Sequence, residues 1–538
     1  MDRIRRSRLP LAVAALLSLC AVAWAEGIFP VNDPGTGNWA FDQPSVAAYG
    51  TILHVAFVGD NAVSGSPDTR LYYAAVNAAA NFTNKATTRD QVLLTSPVAI
   101  DNGSLYTDAR HPQIALRSAK ELAILFQAIP AGQTDHKLFR ALVTVDNNAV
   151  KNQLVAEVRD ASGARMSGRL TDPSFAFVAA DNSMRVAFSS YPSLAAPSPY
   201  ADVYYARIGS DNARIVDNTL VLLSKTAASA GTSPLPRLRL DYSGNSHVVW
   251  AANNGTTGTP SGIFYAMVKT VFPGLVDNLA IGATQVLSGG YRWGFPNALM
   301  AATGNYLWIV AADEPPIGSA GMAGSLGIAE ISPYAVTHDG NPVNVNNVGA
   351  NSLFFINPPG GTVLSPNFDA YHPEAWIDSQ SRMHVAGYGF RGALPPYPGT
   401  PGRYYAMSLG ATTTTSGAVS VFAGMVAYPV SVGLGDTAFA MQLPGDYTRP
   451  AFVYFSGKAV HFWSGPDNAL AGDAGARNLY VTSTLSSTDV PVSQTQSGCS
   501  IVDDPRRGEA GRIPGTVALL LPALLLALRK AVRKAVAR

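Results

Sequence analysis

Six polar side chains stand beside prolines that recur along this 538-residue chain: His111, Asp172, His372 and Arg449 each precede one, and Arg237 and Asn297 each follow one. Arg110 and Tyr371 lie one residue further out. Guanidinium, imidazole and carboxamide groups gathered on one rim suit an anionic or polar ligand such as a glycan or a peptide carboxylate. The competing reading is that they solvate the rim and pair with one another. On the binding reading, replacing Arg237 and Arg449 by Ala is expected to abolish ligand retention and leave the thermal midpoint nearly unchanged; retention that survives, or a fold that collapses, would make the rim structural.

Other residues invite chemistry and are better read as structure. His54, His247, His384 and His461 recur near one position of a repeated strand, which puts them in separate units rather than around one metal, so each is expected to be satisfied by a neighbouring unit. The acidic turns at Asp181-Asn182 and Asp241 to Asn245 lack the dense alternating carboxylates of a calcium loop, and ordinary turn chemistry accounts for them. In the pairs Tyr72-Tyr73, Tyr204-Tyr205 and Tyr404-Tyr405, adjacent residues of a strand face opposite ways, and packing is their expected role. No metal or cofactor is implied.

These residues are carried by a unit written seven times: a proline, an alternating apolar strand, a polar turn, a second strand, a loop and a third strand often rich in tyrosine. The opening prolines are Pro44, Pro112, Pro173, Pro236, Pro296, Pro373 and Pro450. The clearest copy reads Pro236-Arg237-Leu238-Arg239-Leu240, turns at Tyr242 to Asn245, and continues as His247-Val248-Val249-Trp250 and Ile263 to Val268. A fourth strand is expected at Val92-Leu93-Leu94, Val221-Leu222-Leu223, Val286-Leu287-Ser288 and Val363-Leu364-Ser365. Four short strands per repeat predict an all-β fold, a seven-bladed β-propeller, with each proline opening an innermost strand where its missing N–H costs little. A tandem of β-sandwiches is the alternative.

The ends have a different composition. Arg3, Arg5, Arg6 and Arg8, the apolar run Leu9 to Val22 and Ala23-Trp24-Ala25 form a signal peptide over residues 1–25, cut after Ala25 by signal peptidase. The propeller ectodomain is expected over 26–497. Residues 498–538 hold an apolar segment, 513–528, with Arg529, Lys530, Arg533, Lys534 and Arg538 behind it, as a transmembrane helix with a basic cytoplasmic end would. The expected location is therefore the cell envelope, with the ectodomain exported and the membrane reached through the C-terminal segment. Setting aside residues 1–25 and 499–538 leaves 26 basic and 32 acidic residues, a net of −6. Nothing in that balance points to nucleic acid as a partner. Cys20 departs with the signal, so Cys499 is the one thiol of the mature chain, and a disulfide within the chain is excluded.

Two resemblances add to this. The string Asp241-Tyr242-Ser243-Gly244-Asn245-Ser246-His247-Val248-Val249-Trp250 resembles the blade repeats of secreted bacterial sialidase-like (BNR-type) propellers, over roughly residues 44–482. The Asp-box pattern of that group is intact in no copy, so the resemblance implies the fold alone; the first expectation for function is a non-enzymatic binding or interaction protein displayed at the cell envelope. A sialidase-like glycan hydrolase or lyase on the same scaffold is the alternative, and no catalytic residue is assigned. Gly498-Cys499-Ser500-Ile501 with the apolar, basic-ended tail is similar to C-terminal sorting signals of the JDVT-CTERM and MYXO-CTERM types. That similarity implies cleavage near Cys499 by an intramembrane sorting protease.

Overall fold

A computed structural model describes residues 29–32, 39–61, 69–80, 82, 87–100, 105–192, 200–224, 234–241, 243–253, 260–271, 276–287, 293–300, 307–313, 325–336, 342–345, 354–355, 368–377, 383–391, 403–409, 412–413, 419–420, 426–429, 450–455, 458–466 and 477–485. The chain divides into a large unit, 1–501, and a short one, 502–538; every described residue lies in the first. The signal peptide, Gly498, Cys499 and the apolar tail fall outside the described residues. Among those described, no helix is long and apolar enough to cross a membrane.

The described chain is all-β and propeller-like, a succession of antiparallel sheets in which each repeat pairs its strands in chain order. Repeat 2 is typical, with Tyr106–Leu116, Glu121–Pro130, Lys137–Asp146 and Ala149–Glu157 side by side. Repeats 3, 4 and 6 also form four-stranded sheets, repeat 5 a sheet of five strands, and repeats 7 and 1 share one sheet of eight. All seven second strands and all seven third strands expected from sequence lie in strands of these sheets. Period-two alternation explains why: both faces of each sheet are covered, so successive side chains enter opposite apolar layers. Val46, Leu53, Val55, Phe57 and Val76 of repeat 1 pack with Val460, Phe462, Trp463 and Leu479 of repeat 7. From the same strands, Ala47, Ala56, Val58, Tyr73 and Ala75 pack with Ile114, Ile124 and Phe126 of repeat 2. Equivalent layers join repeats 2 and 3, 3 and 4, and 4 and 5.

The first and last described segments meet in one sheet. Phe29–Pro30 runs antiparallel to Arg477–Leu485, with Phe29 opposite Val481 and Pro30 opposite Tyr480. Asn32 donates from Nδ2 to Asn478 Oδ1 at 2.6 Å and accepts the Leu479 N–H at 2.8 Å. Arg89 donates to the carbonyls of Pro30 and Val31 at 3.0 and 3.1 Å.

Three expectations are corrected. Pro44, Pro112, Pro173, Pro296 and Pro373 do not open their strands; they lie inside Trp39–Tyr49, Tyr106–Leu116, Arg169–Val178, Trp293–Met300 and Phe368–Ile377. Each sits at a register shift, such as that between Asp42 and Ser45 or between Thr171 and Ser174, because a bulge is where an inner strand tolerates a residue without an N–H. Only Pro236 and Pro450 stand just ahead of theirs, Arg237–Leu240 and Ala451–Phe455. Second, Val92 belongs to a helical turn, Arg89–Val92, in which the Gln91 side chain reaches back to the Thr88 N–H at 3.0 Å; Leu93 alone of that run pairs, by an antiparallel bridge to Val76, and the outer strand of repeat 1 is Val98–Ala99. Val363 to Ser365 lie outside the described residues. Third, two of the four histidines, His54 and His247, find partners within their own sheets. His54 Nδ1 lies 2.7 Å from Tyr73 Oη, and His247 Nδ1 lies 2.8 Å from Tyr265 Oη with Nε2 3.3 Å from Asp241.

Candidate functional site

The bulges aim polar groups. At Gln43, His111 and Asp172, each the residue before a bulge proline, φ lies between 49° and 54°, a left-handed conformation that turns the backbone N–H out of its own ladder. Two of these N–H groups are taken up by glutamine side chains of the preceding repeat: His111 N donates to Gln43 Oε1 and Asp172 N to Gln127 Oε1, both at 2.6 Å. Such partners are needed because a buried N–H without an acceptor costs about 1–3 kcal/mol.

Beyond the bulge, the inner strands stitch to one another. Ser45 Oγ accepts the Ile114 N–H at 3.1 Å and Ser174 Oγ the Leu238 N–H at 3.0 Å. Arg237 reaches farther. From repeat 4 it donates through one terminal nitrogen to Gln113 Oε1 of repeat 2 at 3.3 Å, and through the other to Glu374 Oε2 of repeat 6 at 3.0 Å. Its side chain is 15% exposed. Burial lowers its affinity for the proton, Glu374 and Asp172 oppose that effect, and Arg239 adds to it.

Of the six residues expected at the rim, the structure joins His111 to Asp172, with Nδ1 2.7 Å from Oδ1; the other Asp172 oxygen accepts from Thr171 Oγ1 at 2.8 Å. Arg237 belongs to the three-repeat contact just given. Asn297 lies directly beyond the bulge of its strand, opposite Val310, and His372 lies inside the bulge between Tyr371 and Glu374; the side chains of both are outside the described residues, as is all of Arg449. Arg110, one residue from His111, donates from Nε to Asp108 Oδ1 at 2.8 Å, and His136 Nε2 lies 3.0 Å from the second oxygen. Burial raises the proton affinity of Asp108, but His136 and Arg110 together outweigh it and hold this carboxyl below its ordinary range.

Gln43, Gln113, Gln127, Asp108, His136 and Glu374 were not singled out in the sequence. A signal for two of them existed: Gln113 and Glu374 follow their prolines just as Arg237 follows Pro236. Reading one repeat position throughout, instead of mixing residues before and after the proline, collects Gln113, Arg237 and Glu374 together. No cluster of three or more metal-ligating side chains occurs among the described residues.

No family model matches the chain, and no curated protein does. Solved structures similar to it include a phage phi92 endosialidase, at 9% identity and a TM-score of 0.41 over 91% of this chain and 72% of that one. The Hadza microbial sialidase Hz136 gives 10% identity and a TM-score of 0.39 over 79% and 75%. An endo-arabinase from Bacteroides thetaiotaomicron gives 11% and 0.32 over 56% and 95%. These likenesses are weak, and the contacts of the inner strands are the firmer guide to function.

Proposed function

We propose that this chain is an exported, envelope-anchored, seven-bladed β-propeller that binds a polar or anionic ligand, a glycan or a peptide carboxylate, at the rim of its central channel. The observation that carries this reading is the contact of Arg237 with both Gln113 and Glu374. Side chains of repeats 2, 4 and 6 meet only if the inner strands converge on a common axis. The packing of repeat 7 against repeat 1 supports a closed ring of seven.

His111, Asp172, Arg237, Asn297, His372 and Arg449 are the proposed rim, with Arg110 beside them. Arg110 is the most open of its described charges, 33% exposed, and is the group a ligand oxyanion meets first. The full-length protein in detergent, applied to arrays of acidic and neutral glycans and of carboxylate-ended peptides, tests this. Retention that falls at least tenfold in Arg110→Ala supports the reading; no retention on any surface overturns it. Release of sugar from a retained glycan replaces binding by hydrolysis on the same scaffold.

The ends complete the proposal: cleavage after Ala25, then a second cut near Gly498-Cys499 that makes Cys499 the attachment point. Mass spectrometry of envelope-extracted protein decides this, and a C-terminus at Arg538 would leave only an uncut membrane tail.

A further inference from the structure

Three arginines among the described residues are buried to 2% exposure or less: Arg140, Arg185 and Arg207. Arg185 and Arg207 both reach Asp181, at 2.6 and 3.0 Å. Arg140 has no such partner among the described residues. It lies on Lys137–Asp146 opposite Leu125 and Ala156, two residues from Leu138 and two from Leu142, which belong to the apolar layer between repeats 2 and 3. One terminal nitrogen donates to the Ser210 carbonyl, and Nε is buried without an acceptor among the described residues.

A second guanidinium is held on the next residue of the same turn: Arg140 bonds the Ser210 carbonyl and Arg117 the Asp211 carboxylate. Arg117 donates to Asn182 Oδ1 at 2.8 Å and to Asp211 at 2.9 Å, lies 3.9 Å from Glu121, and covers the Phe177 ring. Its own Nε is also buried without an acceptor there. Burial lowers the proton affinity of Arg140 to a pKa of about 10, with Arg117 adding to the shift and Asp211 opposing it, so the group is cationic at neutral pH. A carbonyl and a neighbouring cation do not compensate a charge in an apolar layer, and an uncompensated buried charge is strongly destabilising.

We propose that a small inorganic monoanion, of the size and charge of chloride, binds between repeats 2 and 3 on the unfilled Nε donor of Arg140. Water in that place supplies an acceptor but no charge. The carboxylates of Asp211 and Glu121, both beside Arg117, disfavour a dianion. The anion supplies the counter-charge that Asp181 gives to the other two buried arginines.

The test is the thermal midpoint of the full-length protein in detergent as chloride replaces gluconate at fixed ionic strength. For one site, the folding constant is expected to rise about tenfold for each tenfold of chloride above half-saturation. Arg140→Met, which removes the charge and keeps the stem, is expected to show a flat response and a midpoint in gluconate no lower than the parent's. A parallel chloride response in parent and variant, or none in either, overturns the proposal. Should Arg140→Met not fold, bromide-soaked crystals of the parent decide: an anomalous peak within hydrogen-bond reach of Arg140 Nε supports the site, and its absence removes it.

Discussion

Replacing Arg237 by Ala leaves Glu374, 8% exposed, facing an apolar stub in place of a guanidinium 3.0 Å away. Removing one partner of such a pair costs about 3–5 kcal/mol. Denaturant unfolding of Arg237→Ala is therefore expected to show a loss of that order, with Glu374→Gln comparable and the double variant well short of their sum. That outcome would replace the sequence-based expectation of an unchanged midpoint, which rested on the polarity of one chain position and took no account of the contacts with Gln113 and Glu374. His54 gives a second prediction, from pH. Burial pushes its pKa from 6.5 to about 4, so the folded protein binds fewer protons than the unfolded chain between those values. The stability it contributes is whole above pH 6.5 and is lost as pH falls toward 4, by up to roughly 3 kcal/mol. In His54→Gln the acid limb of midpoint against pH should be flatter over that interval; an unchanged limb would show that other groups set it. The sequence placed this histidine on the correct strand and assigned it the wrong partner. His54 lies opposite Ala75 and His247 opposite Met267, so Tyr73 and Tyr265 are in each case the diagonal neighbour on the same face. His461, opposite Thr482, holds the same register to Tyr480.

Within each repeat, the strands legible in the sequence were those with both faces buried, since alternation and β-branched residues mark them directly. The bulge was not legible. It adds residues to one strand of a pair without changing the apolar pattern on either side, and proline alone fits a strand opening as well as a bulge. The helical turn at Arg89–Val92 was misread because a short apolar run such as Val92-Leu93-Leu94 fits strand or helix until the backward reach of Gln91 to Thr88 is seen. The serine stitches follow from the bulge and are testable. In Ser174→Ala the Leu238 N–H loses its acceptor, at a cost of about 1–3 kcal/mol, and hydrogen exchange at the Leu238 amide should rise severalfold while that at Ile114, held by Ser45, does not. Equal change at both amides would mean that the stitches act on all the repeats together rather than locally.

Across the whole molecule, seven repeats could be counted from the prolines, but the seam could not, because Phe29–Pro30 is too short to carry a period. Asn32 makes it specific by bonding both Asn478 and the Leu479 N–H. Asn32→Ala is expected to lower stability by about 1–3 kcal/mol and to raise hydrogen exchange at Leu479 and Val481 ahead of every other sheet; exchange that rises first in repeats 3 or 4 would remove the seam from its closing role. That seam also bears on how such a chain changes over generations. Its contacts come from Phe29 to Asn32, Arg89 and Asn478 to Val481, all in the segments that bound the first and last repeats. Recombination between like repeats can therefore duplicate or delete an interior unit without altering any of these residues. The number of units is free to drift, within the angles their apolar layers accept, while the seam between the first and last repeats is inherited intact.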